Sequence, residues 1–210
     1  MEVSEIGKGI AAARDVLVGL SAVSAAIFAY LGLNAWRKEL KGKAEYELAK
    51  DVLKSVYRVR EAFKLVRNPA IFQYEYPADM TDHHGHLEGN HDYEGTAHVY
   101  EKRWEKMDHA FRELEEHHLA AQVEWGSEFQ DVIKKLRSCR ADLLIAVQQL
   151  LERKKNPREA PRTTAGEKSE ERSVLYHLGS DSKHDTFTPQ IYEAIADFEK
   201  WLRPHVRNKG

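Results

Sequence analysis

His83, His84, His86 and His91 lie with Asp82, Glu88 and Asp92 inside eleven residues. Imidazole and carboxylate donors together suit zinc, nickel or copper, so these four histidines are the candidate metal ligands. A ligating histidine also needs its ring held by a second group. The stretch offers Gly85 and Gly89 and little apolar support nearby. The plainer reading is a solvated polar loop that takes up metal weakly.

Other chemistry is sparser. Glu115-Glu116-His117-His118 contains one Glu-x-x-His pair of the kind that di-iron bundles use twice, with two further inward glutamates. No second helical copy exists and no carboxylate falls on an apolar stripe, so a structural role is expected for His118, as a seam residue or a register-setting position. Its titration near neutral pH would tune packing. Cys139 is the single cysteine, which excludes a disulfide framework and a cysteine-based zinc site. On an apolar stripe it behaves as a small hydrophobe. Ser173 and His205 have no identifiable partners. There is no phosphate-binding loop, nucleophile elbow or dinucleotide fingerprint. No enzyme activity and no cofactor are expected.

The element that locates the protein is a charge-free run from Val16 to Trp36, followed by Arg37, Lys38, Lys41 and Lys43. A helix of that length spans roughly 30 Å, the thickness of a bilayer's hydrocarbon core. Lys8 and Arg14 with Ser24-Ala25-Ala26 would suit a cleaved signal peptide, but the apolar run continues through Ile27, Phe28, Tyr30, Leu31 and Leu33. A buried core helix rarely runs so far without a charge. A transmembrane helix over 16–36, preceded by a short segment 1–15, is therefore expected. The larger count of basic residues on the C-terminal flank predicts an outside N-terminus and a cytoplasmic body at an inner membrane. Tyr30 and Trp36 suit the interfacial aromatic belt. Ser21, Ala25 and Ala29 recur every four residues and would let two such helices approach closely, although Ala and Ser are common in any anchor.

The expected architecture is all-α, with long antiparallel coiled-coil-like helices after the anchor and a short C-terminal helix packed on them. A cytoplasmic bundle is expected over 37–153, with a loop at 68–96. Ala49, Val52, Val56, Val59, Phe63 and Val66 make a heptad-type stripe that stops at Asn68-Pro69. Ala97, Tyr100, Trp104, Met107, Phe111, Leu114, His118, Ala121 and Trp125 make a second, and Phe129, Val132, Leu136, Cys139, Leu143, Ala146 and Leu150 a third. The steps Ala121–Trp125–Phe129 form a stutter beside Gly126-Ser127. One long, kinked helix across Gly126 is favoured over an antiparallel hairpin, because two residues are tight for reversing direction. Residues 154–187 read as a mobile polar linker with an apolar island at 173–178. Thr188-Pro189 starts a last helix over 188–204, with Ile191, Ile195, Phe198 and Leu202 on one face and Arg203-Pro204 as its stop.

Charge is uneven although the net is only −2. Residues 37–67 carry ten Lys/Arg against five Asp/Glu, and residues 68–128 carry four against fourteen. Nucleic-acid binding is not expected from this balance. The basic stretch has two possible counterparts, anionic headgroups and the acidic middle of the same chain, with the second expected to dominate. Trp36 with Leu40-Lys41-Gly42-Lys43, Tyr46-Glu47-Leu48-Ala49, Val66-Arg67-Asn68-Pro69, Tyr100-Glu101-Lys102-Arg103-Trp104, Trp125-Gly126 and Leu202-Arg203-Pro204-His205 resemble a set of uncharacterised bacterial single-pass membrane-anchored helical proteins. The resemblance covers most of the chain and implies no activity or catalytic residue. The first expectation is a membrane-anchored interaction or scaffold protein that binds another protein or itself. The alternative is a metal- or ligand-responsive sensor using the loop at 82–92.

Overall fold

The computed structural model describes residues 2–126, 129, 131–158, 164–179 and 182–207. Among these residues the chain is all-helical, with α1 (Glu2–Val66), α2 (Asp92–Trp125), α3 (Lys134–Lys155), α4 (Ala165–Leu175) and α5 (Phe187–Arg207). It divides into two compact units, residues 1–46 and 47–210, and α1 contributes to both.

Among the described side chains of the first unit, the large apolar ones from Leu17 to Leu40 stand exposed, Phe28 at 74% and Tyr30 at 67% among them. Ser21 Oγ donates to the carbonyl of Leu17 at 2.8 Å and Ser24 Oγ to that of Leu20 at 2.9 Å. Both hydroxyls are thus satisfied within the helix, as an apolar surrounding requires. This is a helix near the N-terminus long and apolar enough to cross a membrane.

The second unit is a helical bundle. Its order and directions follow from cross-helix pairs. Phe63 meets Phe111 edge-on, with ring centroids 6.0 Å apart, and Arg58 pairs with Glu113, so α1 runs antiparallel to α2. Asp92, Asp108 and Glu115 pair with Lys154, Arg140 and Arg137, so α2 runs antiparallel to α3. Tyr57 donates to Glu199 at 2.9 Å and Arg67 reaches Thr188, so α5 runs antiparallel to α1. Lys135 pairs with Glu193 and Asp197, which ties α3 to α5. The apolar stripes close on one another. Ala49, Val52, Val56, Val59 and Val66 of α1, Met107, Phe111 and Leu114 of α2, Leu136 and Leu143 of α3, and Ile195, Phe198 and Leu202 of α5 belong to one buried cluster. At about 25 cal/mol per Å² of apolar area removed from water, this burial dominates stability, whereas each exposed ion pair adds only about 0–1 kcal/mol.

The expectation of one helix continuing across Gly126 is overturned. Gly126 ends α2 at φ 82°, ψ −170°, a backbone region essentially closed to other residues. Its amide still caps the helix on the Gln122 carbonyl at 2.9 Å. Phe129 then packs back on Trp125, with centroids 5.6 Å apart. The stutter therefore marks a reversal of direction.

Residues 154–187, read as a mobile linker, contain α4. Thr164 and Glu167 form a capping box: Thr164 Oγ1 accepts the Glu167 amide at 3.3 Å, and the Glu167 carboxylate accepts the Thr164 amide at 2.7 Å. Glu171 pairs with Arg153, fastening α4 to α3. α5 runs on past the stop expected at Arg203-Pro204 and ends three residues beyond it, at Arg207, with Pro204 inside its last turn. At the start of α5, Asp185 rather than Thr188 supplies the accepting side chain, taking the Thr188 amide at 2.8 Å. The loop before α2 is built of 3₁₀ turns at Gln73–Glu75, Ala78–Met80 and Gly89–His91, and α2 begins at Asp92 rather than near Thr96.

Candidate functional site

The histidine loop is folded by its own polar groups. Asp82 Oδ1 accepts the amides of His84 at 2.9 Å and His86 at 2.8 Å, and the Asp82 amide donates to the His86 carbonyl at 2.8 Å. The His86 amide foremost, then that of His84, hold the Asp82 carboxyl below its usual range. The side chain of Gln73 donates to the His84 carbonyl. Leu87 packs so closely on α2 that a Cβ at Gly95 would stand 2.5 Å from its Cδ1, so the loop has apolar support after all. The rings of His83 and His84 lie 3.9 Å apart and those of His84 and His86 6.3 Å apart, all three exposed. His91 closes the turn before α2, apart from these rings in sequence. Among the described residues no group of three His, Cys, Asp or Glu is placed to hold a metal ion.

His118 lies on the buried side of α2, and its ring stacks on Phe129 at 5.1 Å. Its Nε2 is 3.1 Å from the Phe129 carbonyl, so the tautomer protonated there donates across the α2–α3 reversal. Burial above all pushes its pKa below the ordinary histidine value. Glu115 is turned outward to Arg137 at 3.2 Å, and Glu116 is exposed. The Glu-x-x-His pair thus does not converge. Cys139 is buried, and burial foremost, with Asp142 nearby, pushes its thiol up to about 11, which leaves it protonated at neutral pH. His205 joins Trp125 and Trp201 in an aromatic stack, 4.6 Å and 5.1 Å from their centroids. Ser173 Oγ accepts the Thr186 amide at 2.8 Å, a role in joining α4 to α5. A groove of about 620 Å³ between α1 and α2 is lined in part by Ala62 and Leu65, and of its charged residues Lys54 pairs with Asp51 and Arg58 with Glu113.

Two arginines that sequence reasoning passed over hold the connections in place. Arg67 follows the end of α1 and is 1% exposed. Its Nε donates to the Val174 carbonyl at 2.8 Å and its Nη1 to Thr188 Oγ1 at 2.8 Å. Its Nη2 reaches the carbonyls of Ser173 and Tyr176 and, at 3.0 Å, Asp185 Oδ1. The Arg67 carbonyl in turn accepts the His177 amide at 2.7 Å. Burial foremost lowers the Arg67 pKa, with Asp185 opposing. Burial pushes the Asp185 carboxyl the other way, but the Thr188 hydroxyl and amide, the Leu178 amide and Arg67 outweigh it and hold Asp185 low. Arg103 on α2 grips Glu75 with Nε and Nη2, both at 2.8 Å, and reaches the carbonyls of Asn68 and Ala70 at 2.7 Å. This forked bond first, then the Phe72 amide, lowers the Glu75 pKa. The signal was present in position: Arg67 lies four residues after Phe63, on the continuation of the α1 stripe. With these donors turned to protein oxygens, each arginine is a structural clasp and presents no open anion site.

In the first unit the apolar segment ends at an aromatic and basic boundary. Trp36 is 58% exposed, and the side chains of Arg37, Lys38 and Lys43 are exposed beyond it. No family model, no curated protein and no solved structure matches this chain.

Proposed function

We propose that this chain is a single-pass inner-membrane protein, with its N-terminus outside and its helical body in the cytoplasm, and that the body binds another protein or a second copy of itself. One observation carries the reading: the large apolar side chains described from Leu17 to Leu40 stand exposed in a row, whereas most of those in the body are packed into one buried cluster. Water would disfavour that exposed surface and hydrocarbon would accept it. The basic excess after Trp36 supports the orientation. The heptad-type stripes bury one another within the chain, so they do not themselves call for a partner. Support for binding comes from the surface, where Leu119 and Val123 lie one turn apart on α2, Val123 at 83% exposure. This makes it a binding protein rather than an enzyme: Cys139 is buried in the core, and His118 and His205 stack on aromatic rings.

Alkaline carbonate extraction and a reporter fused after Gly210 test the anchor. Retention in the membrane with a cytoplasmic reporter is expected, and release into the supernatant overturns spanning. Crosslinking in intact membranes, followed by size measurement of the solubilised protein, tests the binding role. A strict monomer with no co-purifying partner would remove it.

A further inference from the structure

The basic residues that follow Trp36 on α1, with Arg67 just past its end, fall into two groups that differ in their partners. Every one from Lys50 to Arg67 meets a carboxylate: Lys50 with Glu47, Lys54 with Asp51, Arg58 with Glu113, Arg60 and Lys64 with Glu61, and Arg67 with Asp185. Between Arg37 and Lys43 only Lys41 does, at 3.8 Å from Glu45. Arg37, Lys38 and Lys43 are exposed and form no ion pair among the described residues. Glu39 is the one acid among these seven positions, which leaves the roughly two turns after Trp36 with a net of +3.

Position gives this contrast a meaning. From Trp36 to Lys43 the helix advances about 10 Å, within a few ångströms of the roughly 5–8 Å depth of one headgroup layer and of the Debye length of about 8 Å at physiological salt. Long basic side chains at the end of an apolar helix lay their stems along it and hold the charge at the interface. Trp36 marks the level of that interface.

We infer that Arg37, Lys38 and Lys43 form a collar that recruits anionic lipid headgroups around the helix, an inference that rests on the membrane-spanning reading above. The basic residues from Lys50 to Arg67 are already paired with carboxylates, so lipid selectivity on this flank belongs to these three side chains and not to the basic stretch 37–67 as a whole.

Trp36 is the reporter. The full chain is reconstituted in phosphatidylcholine vesicles carrying phosphatidylglycerol brominated on its acyl chains, and in the reverse pair, with brominated phosphatidylcholine at the same mole fraction in phosphatidylglycerol. The Trp36→Phe chain supplies the blank for the body's indoles. Quenching of Trp36 should give a relative association constant on the order of five in favour of phosphatidylglycerol, the factor that about one engaged basic side chain supplies. The preference should shrink as salt is raised. Arg37→Gln/Lys38→Gln/Lys43→Gln should bring it to about one, and Lys50→Gln/Lys54→Gln/Lys64→Gln should leave it unchanged. Equal quenching by the two lipids overturns the collar, as does a preference that survives the first triple variant or is lost in the second. Absence of Trp36 quenching by either lipid is a different result, and it overturns the spanning reading itself.

Discussion

At the scale of single residues, the most consequential side chain is Arg67. It is buried with Asp185 at 3.0 Å, and Asp185 also holds the first turn of α5 through the Thr188 amide. Removing one partner of a buried pair leaves an uncompensated charge and costs about 3–5 kcal/mol. Arg67→Met should therefore lower the urea midpoint by that equivalent. Arg67→Lys should lose much of it too, because one ammonium with three donors cannot serve five acceptors spread over Val174, Ser173, Tyr176, Thr188 and Asp185. A Met variant within about 1 kcal/mol of the parent would show that the clasp is incidental. His118 makes a second prediction, and its sign follows from burial. Its folded pKa lies below the ordinary value of 6.5, so below that pH the unfolded chain binds the proton more readily than the folded one. Stability contributed by neutral His118 is intact above about pH 6.5 and falls as pH drops towards the folded pKa, by up to about 1.4 kcal/mol per pH unit. The groups facing it are Arg137 of α3 and Glu115 of α2. Urea midpoints at pH 7.5 and 5.5 should differ more in the parent than in His118→Gln, and equal slopes would dismiss the effect. Asp185, Glu75 and Asp82 act in a separate window, since their lowered carboxyls give up stability only as pH falls below about 4.5.

At the scale of elements, Gly126 decides the topology. Its φ of 82° with ψ −170° puts any Cβ-bearing residue in strain of about 1–3 kcal/mol, while open space around it rules out a steric clash as the cause. Gly126→Ala should destabilise the body by that amount and raise hydrogen exchange in the last turn of α2 and in the Trp125–Phe129 contact. An unchanged midpoint would mean that the reversal does not depend on this backbone. The helices themselves were legible in the sequence, because Val52, Val59, Met107, Leu114, Leu136 and Leu202 fall on 3–4 spacings and are fully buried. The reversal was not, because the apolar spacing 121–125–129 fits either a continuous helix or a turn, and only the backbone angle at Gly126 separates them. α4 was missed although Thr164-Ala165-Gly166-Glu167 carries a capping box, because eleven mostly polar residues hold together through tertiary docking, on α3 by Glu171 and Arg153 and on Arg67 and Thr186 by the Ser173–Val174 end. The clasping arginines were hidden for a related reason. A charged side chain on a helix reads as solvated, and its burial depends on carbonyls from segments more than a hundred residues away, as for Arg67 and Val174. The histidine loop was legible as a polar cluster, but its ring positions depend on Asp82 and Gln73 contacts that spacing does not encode.

At the scale of the whole molecule, the chain divides its apolar surface into two kinds. The buried cluster begins at Ala49 and ends at Leu202, so it lies entirely within the unit 47–210. The exposed apolar residues from Leu17 to Leu40 lie entirely within the unit 1–46. A body of about 160 residues buries roughly 70% of the surface its unfolded chain exposes, enough for independent stability. Cutting before Glu47 removes no member of the core. It also places Glu47 and Asp51 in the first turns of the shortened helix, where acidic side chains favour the helix dipole. The fragment 47–210 should therefore be soluble without detergent, show helical circular dichroism and unfold in one cooperative urea transition. The full chain should require detergent or bilayer. The fragment also separates the two parts of the functional reading. If the body's surface binds a partner, the partner should be captured equally by the fragment and by the full chain, since in the proposed reading residues 1–46 supply location and not contacts. A fragment that aggregates or melts without cooperativity would show that residues 1–46 are part of the fold itself, and the division between a membrane device and a packing device would fall with it.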